Sequence, residues 1–228
     1  MGKPIIGITS TETKVSPDGL MIHSSVSRHF ARAVIKAGGV PIHIPVCSPD
    51  MAESYVSMID RLILSGGQDV QPSLYQQDND KDTSLYFPER DDFEFALVQE
   101  AIRQKKPIMG VCRGIQLYNT VQGGSLNLDI KGHQHENPEV LVHGISVEKG
   151  NALHDIFGNK GDVNSLHHQS IKDLAPGLNI LARDSKDETI EAVQSRDKRS
   201  FLGVQWHPEY LLDINPKSQS LFNYFLSL

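Results

Sequence analysis

The sequence predicts an α/β fold with a central, mostly parallel sheet. In the first half of the chain, short runs rich in Val and Ile alternate with longer segments of helical period. This alternation is typical of parallel sheets that are covered by helices on both faces. In the second half, strand-like runs follow one another with few helical segments between them, which predicts an antiparallel portion. We therefore expect a flavodoxin-like three-layer sandwich with a smaller antiparallel portion in the C-terminal half.

Eight short runs define the predicted strands. Apolar residues at helical spacing predict helices across 26–37, before the fourth strand and across 218–228. The polar segments 76–90 and 131–140 are predicted surface loops. The predicted strands are KPIIGIT (3–9), VPIHIPV (40–46), RLILSGG (61–67), KPIMGVC (106–112), VHGISVE (142–148), LNILARD (178–184), TIEAVQS (189–195) and FLGVQW (201–206).

The composition predicts one soluble domain that spans 1–228. The chain has 39% hydrophobic residues, enough for a large core, and its net charge of −6 argues against nucleic-acid and anionic-membrane partners. No apolar run approaches the roughly 18 residues of a membrane helix, and the N-terminal segment lacks the pattern of a signal peptide. Its two cysteines define no disulfide framework. We expect a cytoplasmic protein.

A cysteine lies between two glycines in the segment Gly110–Gly114, where a predicted strand meets a predicted helix. The same G-x-nucleophile-x-G pattern places a serine on a sharp strand-to-helix turn in other enzymes. A helix N-terminus would favour the nucleophilic thiolate of Cys112. The alternative is that the pattern arises by chance and Cys112 is a small core residue. A nucleophile also requires a base and an oxyanion hole.

Two other strand ends offer those groups. His207 follows the strand FLGVQW, and Glu209 lies two residues further on, where a carboxylate could orient the imidazole as a base. The strand before Ser65 opens into the glycine pair Gly66 and Gly67, whose N–H groups could approach a ligand closely. Alternatively, His207 is a strand-end histidine beside an incidental glutamate, and the glycine pair is a plain turn.

With these segments together, the sequence resembles the class I glutamine amidotransferase-like superfamily and, within it, the γ-glutamyl-γ-aminobutyrate hydrolase family. The resemblance covers nearly the whole chain. It is carried by GITS (7–10), SGGQDVQPSLY (65–75), RDDFEFALVQEAI (90–102), KPIMGVCRGIQLYNTVQGGSLNLDI (106–130), VNSLHHQSIKDLAPGL (163–178) and GVQWHPE (203–209).

The resemblance implies particular roles for eight residues. Cys112, His207 and Glu209 would form a catalytic triad, and the backbone N–H groups of Gly67 and Arg113 would form the oxyanion hole. The substrate would be a small γ-glutamyl compound, with no cofactor and no metal, and a homodimer is compatible with the superfamily. The residues implied in substrate binding are Gln116, His168 and Gln169.

These features predict a hydrolase that cleaves γ-glutamyl amides such as γ-glutamyl-GABA through a thioester on Cys112. The part of the pocket that receives the leaving amine is expected within 76–90. A second hypothesis is a glutaminase subunit that supplies ammonia to a separate synthetase. A third is a non-catalytic protein that binds γ-glutamyl ligands.

Six of the ten histidines fall within 133–168, which raises the question of a metal site. Their spacing is irregular, and neither an H-E-x-x-H motif nor a cysteine pair accompanies them. We therefore predict that they lie on surface loops or near the substrate and bind no metal. The charged run 89–92 is predicted to form the first turn of a helix. The six histidines are His133, His135, His143, His154, His167 and His168.

Overall fold

The computed structural model describes residues 2–77 and 83–228, and its central feature is a nine-stranded mixed sheet. Thirteen strands lie in the described residues: β1 Ile5–Thr9, β2 Thr11–Lys14, β3 Ile22–Ser25, β4 Val40–Ile44, β5 Arg61–Leu64, β6 Ile108–Val111, β7 Leu126–Asn127, β8 His143–Val147, β9 Lys160–Val163, β10 Ser170–Ile171, β11 Leu178–Asp184, β12 Ile190–Ser195 and β13 Phe201–Val204. The order in the large sheet is β4-β1-β5-β6-β13-β12-β11-β8-β9.

Six α-helices flank the sheet. They are α1 Arg28–Lys36, α2 Ala52–Met58, α3 Pro88–Arg103, α4 Arg113–Val121, α5 Ala152–Phe157 and α6 Pro216–Ser227. Apolar residues of α1, α5 and α6 pack in one buried cluster, and those of α2, α3 and α4 pack in a second. Each cluster also contains residues from the strands, so the sheet separates two cores. This arrangement confirms the predicted three-layer α/β sandwich.

The two halves of the sheet differ in strand direction as predicted. Strands β4, β1, β5, β6 and β13 pair in parallel. Their neighbours β12, β11, β8 and β9 pair antiparallel, beginning at the contact between β13 and β12. All eight predicted strands are present, most with shorter bounds because their terminal residues form turns at the sheet edge.

Several short elements are not predicted by the sequence patterns. Strands β2 and β3 pair as a largely exposed hairpin, and their polar residues lack the apolar alternation of a buried strand. Helices α2 and α5 have only 7 and 6 residues, too short for a clear periodic pattern. Of the predicted loop 76–90, residues 78–82 lie outside the described residues; its described part contains a 3₁₀ turn and the start of α3.

The topology brings the three candidate segments to one edge of the sheet. Strands β5, β6 and β13 are adjacent and parallel, so their carboxyl ends lie side by side. The glycine pair follows β5, Cys112 follows β6, and His207 follows β13 by a few residues. Crevices at the carboxyl ends of parallel strands are the usual ligand sites of such sheets. Among the described helices, none is long and apolar enough to cross a membrane.

Candidate active site

Cys112 occupies a strained turn between β6 and α4. Its φ of 54° and ψ of −108° are unusual for a residue with a side chain, and it directly precedes the first residue of α4. Its N–H donates to the carbonyl of Val204 at 2.9 Å, which ties the turn to β13. A Cβ on Gly110 would lie 2.6 Å from the carbonyl carbon of Gly114, so glycine is required where the turn closes on itself.

His207 is fixed through both its backbone and its ring. Its N–H donates to Oδ1 of Asn164 at 2.9 Å, and Nδ2 of Asn164 donates to the His207 carbonyl at 2.9 Å. The 3₁₀ turn Pro208–Leu211 folds the chain back, so that Oε1 of the buried Glu209 lies 2.7 Å from Nδ1 of His207. This contact leaves Nε2 as the ring nitrogen available for proton transfer.

The charge state of His207 depends on its two neighbours. Burial alone would lower the pKa of the imidazole, but the carboxylate of Glu209 and the thiolate form of Cys112 favour the protonated ring. These interactions raise the pKa of His207 well above its ordinary value. The site therefore favours an imidazolium beside the cysteine.

The glycine pair after β5 lets two side chains approach the backbone. A Cβ on Gly66 would lie 2.8 Å from Cε1 of His207, and one on Gly67 would overlap Nη1 of Arg90. Gly67 also has a φ of 144°, which favours glycine. Gly67 and Arg113 both border a small cavity beside Cys112. Their N–H groups, predicted as oxyanion donors, donate no hydrogen bond within the described residues.

A buried ion cluster, which the sequence patterns did not predict, supports this glycine loop and the residue after Cys112. Nη2 of Arg90 donates to Oγ of Ser65 and to the Gly66 carbonyl, both at 3.0 Å. Nε of Arg90 donates to Glu94 at 2.9 Å, and the guanidinium of Arg113 pairs with Glu94 and with Asp91.

Two members of this cluster, Arg90 and Asp91, belong to the run 89–92 that the sequence predicts as the first turn of a helix. The run does begin α3, but Arg90, Asp91 and Glu94 face inward and are at most 1% exposed. Burial alone would raise the pKa of Glu94, but Arg113 and Arg90 hold it below its ordinary value. The available signal was the position of Arg90 and Glu94 one helical turn apart, on the same face as Phe93 and Leu97.

The small cavity beside Cys112 also contains the three residues implied in substrate binding. Nε2 of Gln116 donates to the Gln169 carbonyl at 2.9 Å and to Gln205 at 3.1 Å, so its amide oxygen is the atom that could accept from a ligand. His168 lies between Asp69 and Asp129, at 3.0 and 3.2 Å. The side-chain amide of Gln169 is buried, with no hydrogen-bond partner among the described residues.

A larger cleft of about 380 Å³ opens on the other side of His207. The β2–β3 hairpin and Phe30 of α1 line one wall, and His207, Glu209 and Tyr210 line the other. The glycine pair separates this cleft from the small cavity and borders both at Gly67. The described lining of the cleft contains no lysine or arginine. The expected contribution of 76–90 lies partly outside the described residues.

The prediction for the histidine-rich segment was wrong in part. His135 is exposed and His154 is partly exposed, but His133, His143 and His167 are buried and converge on Glu191. Their spacing is irregular because β8, β12 and two loops bring them together in space. Burial lowers the pKa of His167 to about 3 and raises the pKa of Glu191 well above its ordinary value.

Comparisons with known proteins identify the family of the chain. The Peptidase C26 family profile matches residues 4–209. The chain is 39% identical over 235 residues to Protein NtpR of Enterococcus hirae, covering 98% of both chains. It is 31% identical over 245 residues to the γ-glutamyl-γ-aminobutyrate hydrolase PuuD of Escherichia coli K12, covering 100% of this chain and 94% of that one.

Solved structures share the fold at low sequence identity. A glutamine amidotransferase from Thermotoga maritima matches with a TM-score of 0.65 and 14% identity, covering 100% of this chain and 97% of that one. The glutaminase domain of Trypanosoma brucei CTPS, with bound acivicin, matches with a TM-score of 0.67 and 16% identity, covering 99% and 94%. The chain therefore belongs to the Peptidase C26 family of class I glutamine amidotransferase-like proteins.

Proposed function

We propose that this protein hydrolyses γ-glutamyl amides through a γ-glutamyl thioester on Cys112. The observation that carries the proposal is the 2.7 Å contact between His207 and Glu209, beside a cysteine held on a strained strand-to-helix turn. A carboxylate-oriented imidazole next to a thiol is the arrangement that activates a cysteine nucleophile. The hydrolase names among the relatives support the same class of reaction.

The reaction begins when the Cys112 thiolate attacks the γ-carbonyl carbon of the substrate. The carbonyl oxygen becomes an oxyanion, which accepts hydrogen bonds from the N–H groups of Gly67 and Arg113. Each such donor typically lowers the barrier by about 3–4 kcal/mol. The His207 imidazolium then gives its Nε2 proton to the leaving nitrogen, and the C–N bond breaks. The amine departs and the γ-glutamyl group remains as a thioester.

Hydrolysis of the thioester regenerates the enzyme. Neutral His207 takes a proton from water, and the resulting hydroxide attacks the thioester carbonyl in the same oxyanion hole. The C–S bond breaks, glutamate leaves, and the thiolate again faces an imidazolium. Glu209 accepts the hydrogen bond from Nδ1 of His207 throughout and so holds the imidazole in one orientation.

The two spaces on either side of the glycine pair suggest how the substrate lies. The small polar cavity with Gln116 and Gln169 would receive the glutamyl group, because their amides match its ammonium and carboxylate. The larger cleft beside His207 would receive the leaving amine. Ammonia needs no such cleft, which favours this proposal over a glutaminase subunit. Because the described cleft lining contains no lysine or arginine, and the charge of His207 is already paired with Glu209, we expect amines without a carboxylate to be preferred.

A matched substrate panel tests this assignment. The purified protein would be assayed with glutamine, γ-glutamyl-putrescine, γ-glutamyl-GABA and γ-glutamyl-butylamine, the last of which replaces the carboxylate of GABA with a methyl group. We expect turnover of γ-glutamyl amines, with butylamine favoured over GABA and glutamine poor. The Cys112→Ala variant should be inactive. Cys47→Ala is the matched control because it changes the other cysteine, near Tyr55 and away from the cleft.

The outcomes separate the hypotheses. A folded protein that hydrolyses only glutamine, and only weakly, would favour the glutaminase subunit. A protein that binds γ-glutamyl amines without turning them over would favour the non-catalytic binding protein. Full activity in Cys112→Ala would exclude the thioester mechanism.

A further inference from the structure

Four buried side chains converge behind the wall of the small cavity. His133 precedes β8, His143 begins β8, His167 lies in the loop before β10, and Glu191 lies on β12. Each is at least 92% buried, since their exposed fractions are 2%, 8%, 4% and 0% in the same order. Such polar groups are costly to bury unless they have partners.

The outer nitrogens of His133 and His167 have hydrogen-bond acceptors, and that of His143 lies close to a carboxylate without forming an aligned hydrogen bond. Nε2 of His133 lies 2.9 Å from the carboxylate of Asp187, and Nδ1 of His143 lies 2.9 Å from that of Asp184. Nδ1 of His167 lies 2.9 Å from the Gln169 carbonyl. An acceptor at one ring nitrogen holds the proton there and leaves the other nitrogen with its lone pair. Metal-binding histidines are oriented in this way by carboxylates and carbonyls.

The inner nitrogens all face one carboxylate oxygen. Oε1 of Glu191 lies 3.5 Å from Nδ1 of His133, 3.7 Å from Nε2 of His143 and 3.7 Å from Nε2 of His167. These three nitrogens and the carboxylate oxygen form a group of four atoms that all lie within 4.8 Å of one another. Within the described part of the chain, none of these four atoms has a hydrogen-bond partner.

These separations suit a shared cation better than direct hydrogen bonds. A good N–H···O bond is about 2.7–3.2 Å long, shorter than all three contacts. Zinc–nitrogen and zinc–oxygen distances of about 2.0–2.1 Å place tetrahedral ligand atoms about 3.3–3.4 Å apart. The three separations from Glu191 exceed that value by a few tenths of an ångström, and the four ligand atoms lie within 4.8 Å of one another, so side-chain movements would have to draw the group inward to complete the coordination.

We propose that His133, His143, His167 and Glu191 form a zinc site with three imidazole ligands and one carboxylate. The ligand set is closed and tetrahedral, which is typical of structural rather than catalytic zinc. The ion would join two loops to β8 and β12. His167 immediately precedes His168 and Gln169 in the cavity wall, so the site would fix the position of that wall.

Metal analysis of the untagged protein tests the site directly. Protein prepared with Zn²⁺ and freed of loose metal should contain about one zinc ion per chain. The Glu191→Gln and His143→Gln variants should bind zinc at least about tenfold more weakly. His135→Gln and His154→Gln are matched controls because their side chains lie outside the cluster, and they should retain the wild-type metal content.

Two further measurements use the wild-type protein, so they test the site even if the variants fold poorly. Chelator treatment of the wild type should lower its melting temperature, and added Zn²⁺ should restore it. Co²⁺ reconstitution should give the intense visible absorption of a tetrahedral site. Cys112→Ala should keep the metal, so the test does not depend on the proposed hydrolase activity. Folded wild-type protein that gains no zinc, shows no melting shift and gives no tetrahedral Co²⁺ spectrum would overturn the proposal.

Discussion

Gly67 leaves no room for a β-carbon, because a methyl group there would overlap Nη1 of Arg90. Arg90 in turn donates to Ser65 and to the Gly66 carbonyl. The buried guanidinium of Arg90 thus holds in place the backbone whose N–H group would stabilise the oxyanion. Activity should therefore depend on the absence of a side chain at Gly67.

The Gly67→Ala variant should lose hydrolytic activity. The φ of 144° and the overlap with Arg90 would both displace the Gly67 N–H, and loss of one oxyanion donor lowers kcat by about 10²–10³. Steady-state kinetics on the best γ-glutamyl amine would measure this. Gly38→Ala is the control, because Gly38 also has a positive φ. A Cβ at Gly38 would meet no atom within 4 Å, and this glycine follows the C-terminal end of α1. Equal losses in both variants would contradict the oxyanion role.

The Glu209→Gln variant should lower the pKa of His207. Glu209 provides the larger of the attractive charges that hold this pKa above its ordinary value, while burial opposes them. Imidazole NMR titration would measure the change. We also expect kcat to fall by about 10³–10⁴, as when the acid of a comparable triad becomes an amide. An unchanged imidazole titration would show that Glu209 does not control the charge of His207.

The raised pKa of His207 also predicts how stability varies with pH. A group whose pKa is higher in the folded state stabilises the fold fully below its unfolded pKa, here about 6.5. That stabilisation is lost as pH rises through the folded pKa. The free energy of unfolding of the wild type, relative to His207→Gln, should therefore be greatest and constant below about pH 6 and decline at higher pH. Denaturant unfolding at several pH values would test this, and an opposite slope would contradict it.

The Glu94→Gln variant should destabilise the protein strongly. It leaves Arg90 and Arg113 buried with less compensating charge, and breaking a buried ion pair typically costs about 3–5 kcal/mol. Glu100→Gln is a control on the same helix, where Glu100 pairs with the exposed Arg103 and the free energy of unfolding should change little. Similar stability of the two variants would mean that the buried cluster contributes little.

The residues at the strand ends that form the site could be predicted from the sequence, but the residues that hold them in position could not. Cys112 and His207 follow apolar strands, and parallel topology necessarily brings the ends of neighbouring strands together. Asn164 was missed because it contacts the backbone of His207 from 43 residues away. Nothing in its local pattern indicates that partner.

The burial of His133, His143 and His167 was not predicted for the same physical reason. Local spacing indicates a metal site when the ligands share one helix or one short loop. Here Glu191 comes from the start of the antiparallel strand β12, and the histidines come from elements that are adjacent only after folding. Only the register of the antiparallel half brings these side chains together, and local sequence patterns do not predict that register.

A shared thioester is the central claim, and partitioning with hydroxylamine tests it most directly. Hydroxylamine competes with water for the γ-glutamyl thioester and yields a hydroxamate. At fixed hydroxylamine concentration, the ratio of hydroxamate to glutamate should be the same for every leaving amine, because all substrates pass through the same Cys112 intermediate. A ratio that changes with the leaving amine, or hydroxamate formation by Cys112→Ala, would contradict the account.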